Sequence, residues 1–113
     1  MNKTIAFHVF QNGITSTSTG TVYNIPVDGV ELINIAFDLS SGGSFSATFQ
    51  ARVDLDNSPW VSIGATDLCT ADISQTATDA THLYQMYIGG IAALRVNVTS
   101  IDGTLSCYGK IIG

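Results

Sequence analysis

Residues 44–55, SFSATFQARVDL, decide the class of the fold. Phe45, Ala47, Phe49, Ala51, Val53 and Leu55 share one parity, and Ser46, Thr48, Gln50, Arg52 and Asp54 share the other. Successive side chains of a strand point to opposite faces, so this period of two predicts a strand with one face in an apolar core and the other in solvent. Beyond it, DNSP at 56–59 reads as a turn. Asp and Asn hydrogen-bond their own backbone and Pro59 presets the chain direction, so WVSIG at 60–64 is expected to return as the second strand of a hairpin. The run Asp54, Leu55, Asp56, Asn57 offers oxygens to a hard cation, but it lacks the glycine and the distant glutamate of a calcium loop, and no metal is expected on it.

The same pattern extends along the chain. TIAFHVF at 4–10 predicts a strand, and QNGITSTSTGT after it predicts either a loop or a flat edge strand. In VELINIAFDL at 30–39, Ile33, Ile35, Phe37 and Leu39 are placed on one face, with Asn34 and Asp38 on the other. SSGG at 40–43 is a turn. PWVSIGA at 59–65 predicts a short strand, a further extended piece is expected at 68–73, and SQTATDAT is a polar connection. HLYQMYI at 82–88, AALRVNVTS at 92–100 and TLSCYGKII at 104–112 are three more strands, with IDG at 101–103 expected to close a tight hairpin. No stretch holds a 3.6-residue period over three turns, so little or no helix is expected. Seven to nine short strands predict an all-β, antiparallel β-sandwich or jelly roll in a single domain spanning 1–113.

Composition supports this class. Charged residues are 12% of the chain, against roughly 25% in an average domain. Polarity comes instead from 13 Thr and 11 Ser, while there are only one Glu and two Lys, a mixture that suits strands and starves helices. The net charge of −5 leaves Lys3, Arg52, Arg95 and Lys110 as the only strong cations, which argues against nucleic acid and against anionic lipid as partners. No apolar run approaches the ~20 residues of a membrane helix. The segment MNKTIAFHVFQNG has no small-residue cleavage pattern, so synthesis in a cytosol is expected, where Cys69 and Cys107 favour free thiols.

Residues able to carry chemistry are sparse. His8 and His82 are the only histidines, and neither has a second ligand-type residue at metal spacing. No nucleophile elbow, phosphate cradle or two-carboxylate pattern is present, so no catalytic residue, cofactor or metal is expected and an enzyme is the least favoured class. An enzyme would need a pocket gathering His8 or His82 with carboxylates. Trp60, Tyr84, Tyr87 and Tyr108 could instead form a flat aromatic platform for a sugar, with Trp60 and Tyr108 as its candidate ligand-binding residues. The competing reading puts Tyr84 in the core, lets Trp60 close the end of the sandwich, and assigns Trp60, Arg52, Arg95 and Tyr87 to a protein interface, where aromatic residues and Arg are enriched.

Two stretches, PWVSIGATDL at 59–68 and HLYQMYIGGIAALRVNVTSIDGTLSCYG at 82–109, resemble small β-sandwich virion structural proteins of tailed bacteriophages. The resemblance rests on Trp60, Ile63 and Gly64, on Tyr84, Ile88 and Gly90, and on Leu94, Arg95, Val96, Val98, Thr99, Ser100, Gly103 and Thr104. It implies a non-enzymatic virion component: a capsid decoration or cementing subunit, a head fibre, or a tail-associated module. Such a protein would be made in the host bacterial cytoplasm and located on the virion. Its implied partners are further copies of itself, as a homo-oligomer and foremost a trimer, and the major capsid protein or another virion protein. Residues 1–29 match no part of the pattern and are the expected attachment or oligomerisation arm. The alternative the resemblance leaves open is a carbohydrate- or host-receptor-binding module of a phage fibre or tail.

Overall fold

The alternation of residues 44–55 becomes a strand, Ser44–Arg52, in which Phe45, Ala47, Phe49 and Ala51 are buried and the residues between them face outward. The computed structural model describes residues 4–22, 32–53, 58–87 and 91–112. Among these the chain forms eleven strands and no helix: β1 (Thr4–Ile14), β2 (Ser18–Val22), β3 (Leu32–Leu39), β4 (Ser44–Arg52), β5 (Val61–Ser62), β6 (Ala65–Asp67), β7 (Ile73–Ser74), β8 (Thr76–Ala77), β9 (Leu83–Tyr87), β10 (Ala93–Asp102) and β11 (Leu105–Ile112). The number exceeds the expected seven to nine because β5, β7 and β8 are two-residue pieces too short to show a period.

All pairings are antiparallel and build two sheets. The first runs β1, β11, β3, β9, β6, β7; the second runs β2, β10, β4, β5, with β8 also paired to β4. Ile33, Ile35 and Phe37 of β3, Tyr84 and Met86 of β9, and Leu105 and Cys107 of β11 face Phe45, Ala47 and Phe49 of β4 and Leu94, Val96 and Val98 of β10. Phe37 lies against Phe45 at 4.7 Å between ring centroids, and Tyr84 meets Phe37 and Phe49 at 5.9 Å each. These contacts across the gap make the fold an all-β sandwich with one core.

Several expectations are refined. The polar stretch after β1 takes the edge-strand form: β1 continues to Ile14, and β2 borders the second sheet against β10. Val53 does not continue the buried face but is 66% exposed. Its strand ends at Arg52 because the partner β10 ends there too, with Ala93 opposite Arg52. The extended piece expected at 68–73 is mostly a turn, and only Ile73 joins a strand.

The IDG segment does not close a hairpin. β10 is already flanked by β2 and β4, and β11 by β1 and β3, so the turn carries the chain from the second sheet to the first. SSGG makes the reverse crossing from β3 to β4, and the two crossings are tied together. Ser40 N–H donates to the Thr104 carbonyl and Thr104 N–H donates to Ser40 Oγ, both at 2.9 Å. Gly103 makes this possible, since its φ is +104° and a Cβ there would lie 2.5 Å from Ser40 Oγ.

Candidate functional site

Two groups of side chains stand out, one on each sheet. The first grows from the outward face of β4 and β10. Gln50 and Arg95 are cross-strand partners, and the Arg95 Nε–H donates to Gln50 Oε1 at 2.6 Å. Arg52 lies two residues further along the same face of β4. The hairpin formed by β4 and β5 pairs Ala51 with Val61, which brings the residue before Val61 over this face. Trp60, half-buried, therefore lies beside both guanidiniums: Arg95 Cζ is 4.4 Å and Arg52 Cζ 5.2 Å from the centre of its ring. Cations over the electron-rich face of an indole are attracted electrostatically, so the three side chains hold one another. The cluster puts two of the chain's four Lys and Arg residues on one aromatic ring.

Trp60 thus covers a sheet face rather than the end of the sandwich, and three of the four residues named as interface candidates come together around it. Tyr87 does not join them. It ends β9 on the first sheet, where it is 73% exposed. Tyr108 is also on the first sheet, partly exposed in a shallow groove shared with Asn34, Ala36, Leu83 and Lys110. Tyr84 is buried in the core. A single platform of Trp60 with the tyrosines is therefore not formed. The acidic turn around Asp56 and Asn57 and residue Asp54 lie outside the described residues, as do the side chain of His8 and residues 1–3 and 23–29 of the segment 1–29, whose described part forms β1 and β2.

The second group sits where the short strands β6 and β7 border the first sheet. Asp67 ends β6 and opens a tight turn: its carbonyl accepts the Ala71 N–H at 2.7 Å, and its Oδ1 accepts the Cys69 N–H at 2.9 Å. Ala71 has a left-handed backbone, φ 64°, a conformation that costs a residue bearing a Cβ. β6 pairs with β9, placing Asp67 opposite Tyr84, two residues after His82. His82 Nδ1 consequently meets Asp67 Oδ2 at 2.5 Å, and its Nε2 meets Asp79 Oδ2 at 3.2 Å. Asp79 is itself held, because its Oδ1 accepts both the N–H and the hydroxyl of Thr81, at 2.8 and 2.7 Å.

The charges adjust accordingly. The hydrogen bond to Asp67 raises the His82 pKa, partial burial opposes this, and the Asp67 and Asp79 charges add to the rise. For Asp67, burial pushes upward, but the hydrogen bond from His82 and that from the Cys69 N–H outweigh it and hold the carboxyl below its ordinary value. Hydrogen bonds from the Thr81 side chain and backbone lower Asp79. Cys69 completes the group: its sulfur, a His82 ring nitrogen and an Asp67 oxygen all lie within 4.8 Å of one another. An open cleft lined by Thr70, Asp72, Ser74, Thr76 and Thr78 leads to it. Both cysteines are free thiols, Cys69 exposed and Cys107 buried in the core, where burial pushes its pKa strongly up. Sequence spacing missed this group because its parts come from two turns joined only by the β6 and β9 pairing. The local signals were Asp67-x-Cys69 and Asp79-x-x-His82.

The architecture has counterparts among solved structures. The SPBc2 prophage-derived protein YomS superposes with a TM-score of 0.85 at 18% identity, covering 100% of this chain and 96% of that one. The PBSX exported protein XepA superposes with a TM-score of 0.83 at 20% identity over 99% of this chain, which spans 38% of the longer protein. At these identities the likeness is one of fold. No protein-family model and no curated protein matches the sequence.

Proposed function

We propose that this chain is a non-enzymatic phage structural protein, a decoration or cementing subunit that binds an assembled head as a homo-oligomer, foremost a trimer. The observation that carries the reading is the superposition on the prophage-derived YomS over nearly the whole of both chains. The Trp60, Arg52 and Arg95 cluster supports it. An aromatic ring with two associated guanidiniums on an exposed sheet face has the composition of an interface anchor.

The decisive experiment locates the protein. Mass spectrometry and negative-stain imaging of purified phage particles should find it on the head, and light scattering at high protein concentration should give an oligomer. A strict monomer that is missing from particles sinks the proposal. The second reading, a carbohydrate- or host-receptor-binding module, draws on the groove at Tyr108, where a tyrosine adjoins Asn34 and Lys110. Glycan-array binding abolished by Tyr108→Ala, with the fold retained, would favour that reading over decoration.

A further inference from the structure

The Asp67, Cys69 and His82 group has a donor set unlike that of an ordinary surface ion pair. It offers one carboxylate oxygen, one imidazole nitrogen and one thiol sulfur, all within 4.8 Å of one another. Oxygen alone suits calcium and magnesium, whereas nitrogen and sulfur together suit a borderline-soft ion that takes few ligands. We propose that these three residues bind a zinc ion, with the fourth position left to water. The inference is independent of the assembly reading above.

Three features of the geometry carry the assignment. His82 Nδ1 faces Asp67 Oδ2 at 2.5 Å, and an ion between them replaces the shared proton. With zinc bonds of about 2.0 Å to nitrogen and oxygen, tetrahedral geometry puts those two atoms roughly 3.3 Å apart, a small opening for a side chain that projects from a turn. The second feature is Asp79. Histidines that ligate metals usually donate the other ring N–H to a carboxylate, which fixes the tautomer and the ring orientation. Here His82 Nε2 already lies 3.2 Å from Asp79 Oδ2, and Asp79 is held by Thr81. Finally, the ligand atoms are reachable. Asp67 and His82 line the open cleft and Cys69 is exposed, so a hydrated ion can enter without unfolding the sandwich.

The group needs no metal to be stable, since Asp67 and His82 satisfy each other. Zinc binding therefore orders two turns that are already close rather than folding the protein. Asp67 remains pinned through Oδ1 by the Cys69 N–H, which also keeps the Cys69 backbone next to the carboxylate that would share the ion.

The test uses the intact chain in a buffer with a non-coordinating reductant. Cobalt(II) serves as a spectroscopic substitute for zinc, because a thiolate ligand gives it an intense charge-transfer absorption. One equivalent of cobalt should produce that band, and one equivalent of zinc should abolish it by displacement. Cys69→Ser should lose the band. His82→Asn and Asp67→Asn should each weaken zinc binding at least tenfold, and Asp79→Asn by about tenfold, the usual cost of removing a carboxylate behind a ligating histidine. Circular dichroism checks that each variant is folded. If one is not, zinc protection of Cys69 against alkylation in the unaltered chain, located by peptide mass mapping, gives the same answer. No charge-transfer band together with an unprotected Cys69 overturns the proposal. Zinc affinity unchanged in all of the variants overturns it as well.

Discussion

Replacing Trp60 by alanine removes a ring that two guanidiniums approach, Arg95 at 4.4 Å and Arg52 at 5.2 Å. Both distances are inside the ~6 Å at which a cation is attracted to an indole face, and each contact is worth about 0.5–1 kcal/mol at a partly exposed site. The ring is also half-buried and its own apolar surface is lost, so the total loss of stability is expected at about 2–3 kcal/mol. A double-mutant cycle separates these parts. Trp60→Ala, Arg95→Ala and the double variant, unfolded in urea and followed by far-ultraviolet circular dichroism because Trp60 is the only tryptophan, should yield a coupling of about 0.5–1 kcal/mol. Arg95 also donates to Gln50, but that hydrogen bond persists in Trp60→Ala and so cancels from the cycle. Additivity within about 0.2 kcal/mol would refute the argument that the ring and the guanidiniums hold one another. The same variant tests assembly: loss of the oligomer at a stability cost of this size places Trp60 in the subunit contact.

The core offers a larger effect. Phe49 is fully buried and lies 6.5 Å from Phe37 and 5.9 Å from Tyr84 between ring centroids, so Phe49→Ala should cost about 3–5 kcal/mol in urea unfolding. Gly103→Ala forces a side chain into a φ of +104° and to 2.5 Å from Ser40 Oγ, and thermal unfolding should show a loss of about 1–3 kcal/mol. The His82 pair predicts a pH dependence whose sign follows from the shifts. Because the folded-state pKa of His82 is raised by Asp67 and Asp79, its contribution is fully present below the ordinary value of about 6.5 and is lost as pH rises through the raised one. The lowered carboxyls of Asp67 and Asp79 keep that contribution until pH falls below their ordinary value of 3.8. Amide exchange, corrected for its intrinsic pH dependence, should therefore show the turn at 67–71 better protected at pH 5.5 than at pH 8.5, and His82→Gln should remove the difference.

What the sequence disclosed was whatever depends on neighbours along the chain. The alternation of Phe45, Ala47, Phe49 and Ala51 identified β4 and its buried face, and Ile33, Ile35 and Phe37 did so for β3. Alternation says which side of a strand is buried but not which strand lies beside it. For that reason the IDG turn read as a hairpin although it joins different sheets, and Val53 read as core although the sheet stops one residue earlier. The histidine group was invisible for the same cause. Asp67 and His82 are 15 positions apart, and only the pairing of Thr66 with Gln85 and Asp67 with Tyr84 brings them together. The arginine and tryptophan cluster was half legible: the residue types pointed to an interface, but the cross-strand neighbours that bring the ring to the guanidiniums did not show in the spacing.

Both candidate sites depend on one crossing of the chain between the sheets. Trp60 and β5 belong to the second sheet, β6 begins at Ala65 in the first, and only Ile63 and Gly64 lie between them. That passage is fixed at both ends. Ile63 N–H donates to the Phe49 carbonyl at 2.9 Å, and a Cβ on Gly64 would meet Ile73 Cγ2 at 2.8 Å, so the chain passes close to β7 on its way to Asp67. A contact that presses on Trp60 therefore bears on a segment anchored to the core strand β4, and a ligand that reorders the turn at 67–71 bears on its other end. The anchoring to Phe49, at the centre of the buried face, resists transmission between them. Packed interiors deform little, and a rigid crossing isolates the sites unless it has two stable arrangements. Substitutions in the Trp60 cluster on the second sheet and in the proposed ion site on the first should accordingly be additive in their effects, which makes each accessible to substitution without disturbing the other.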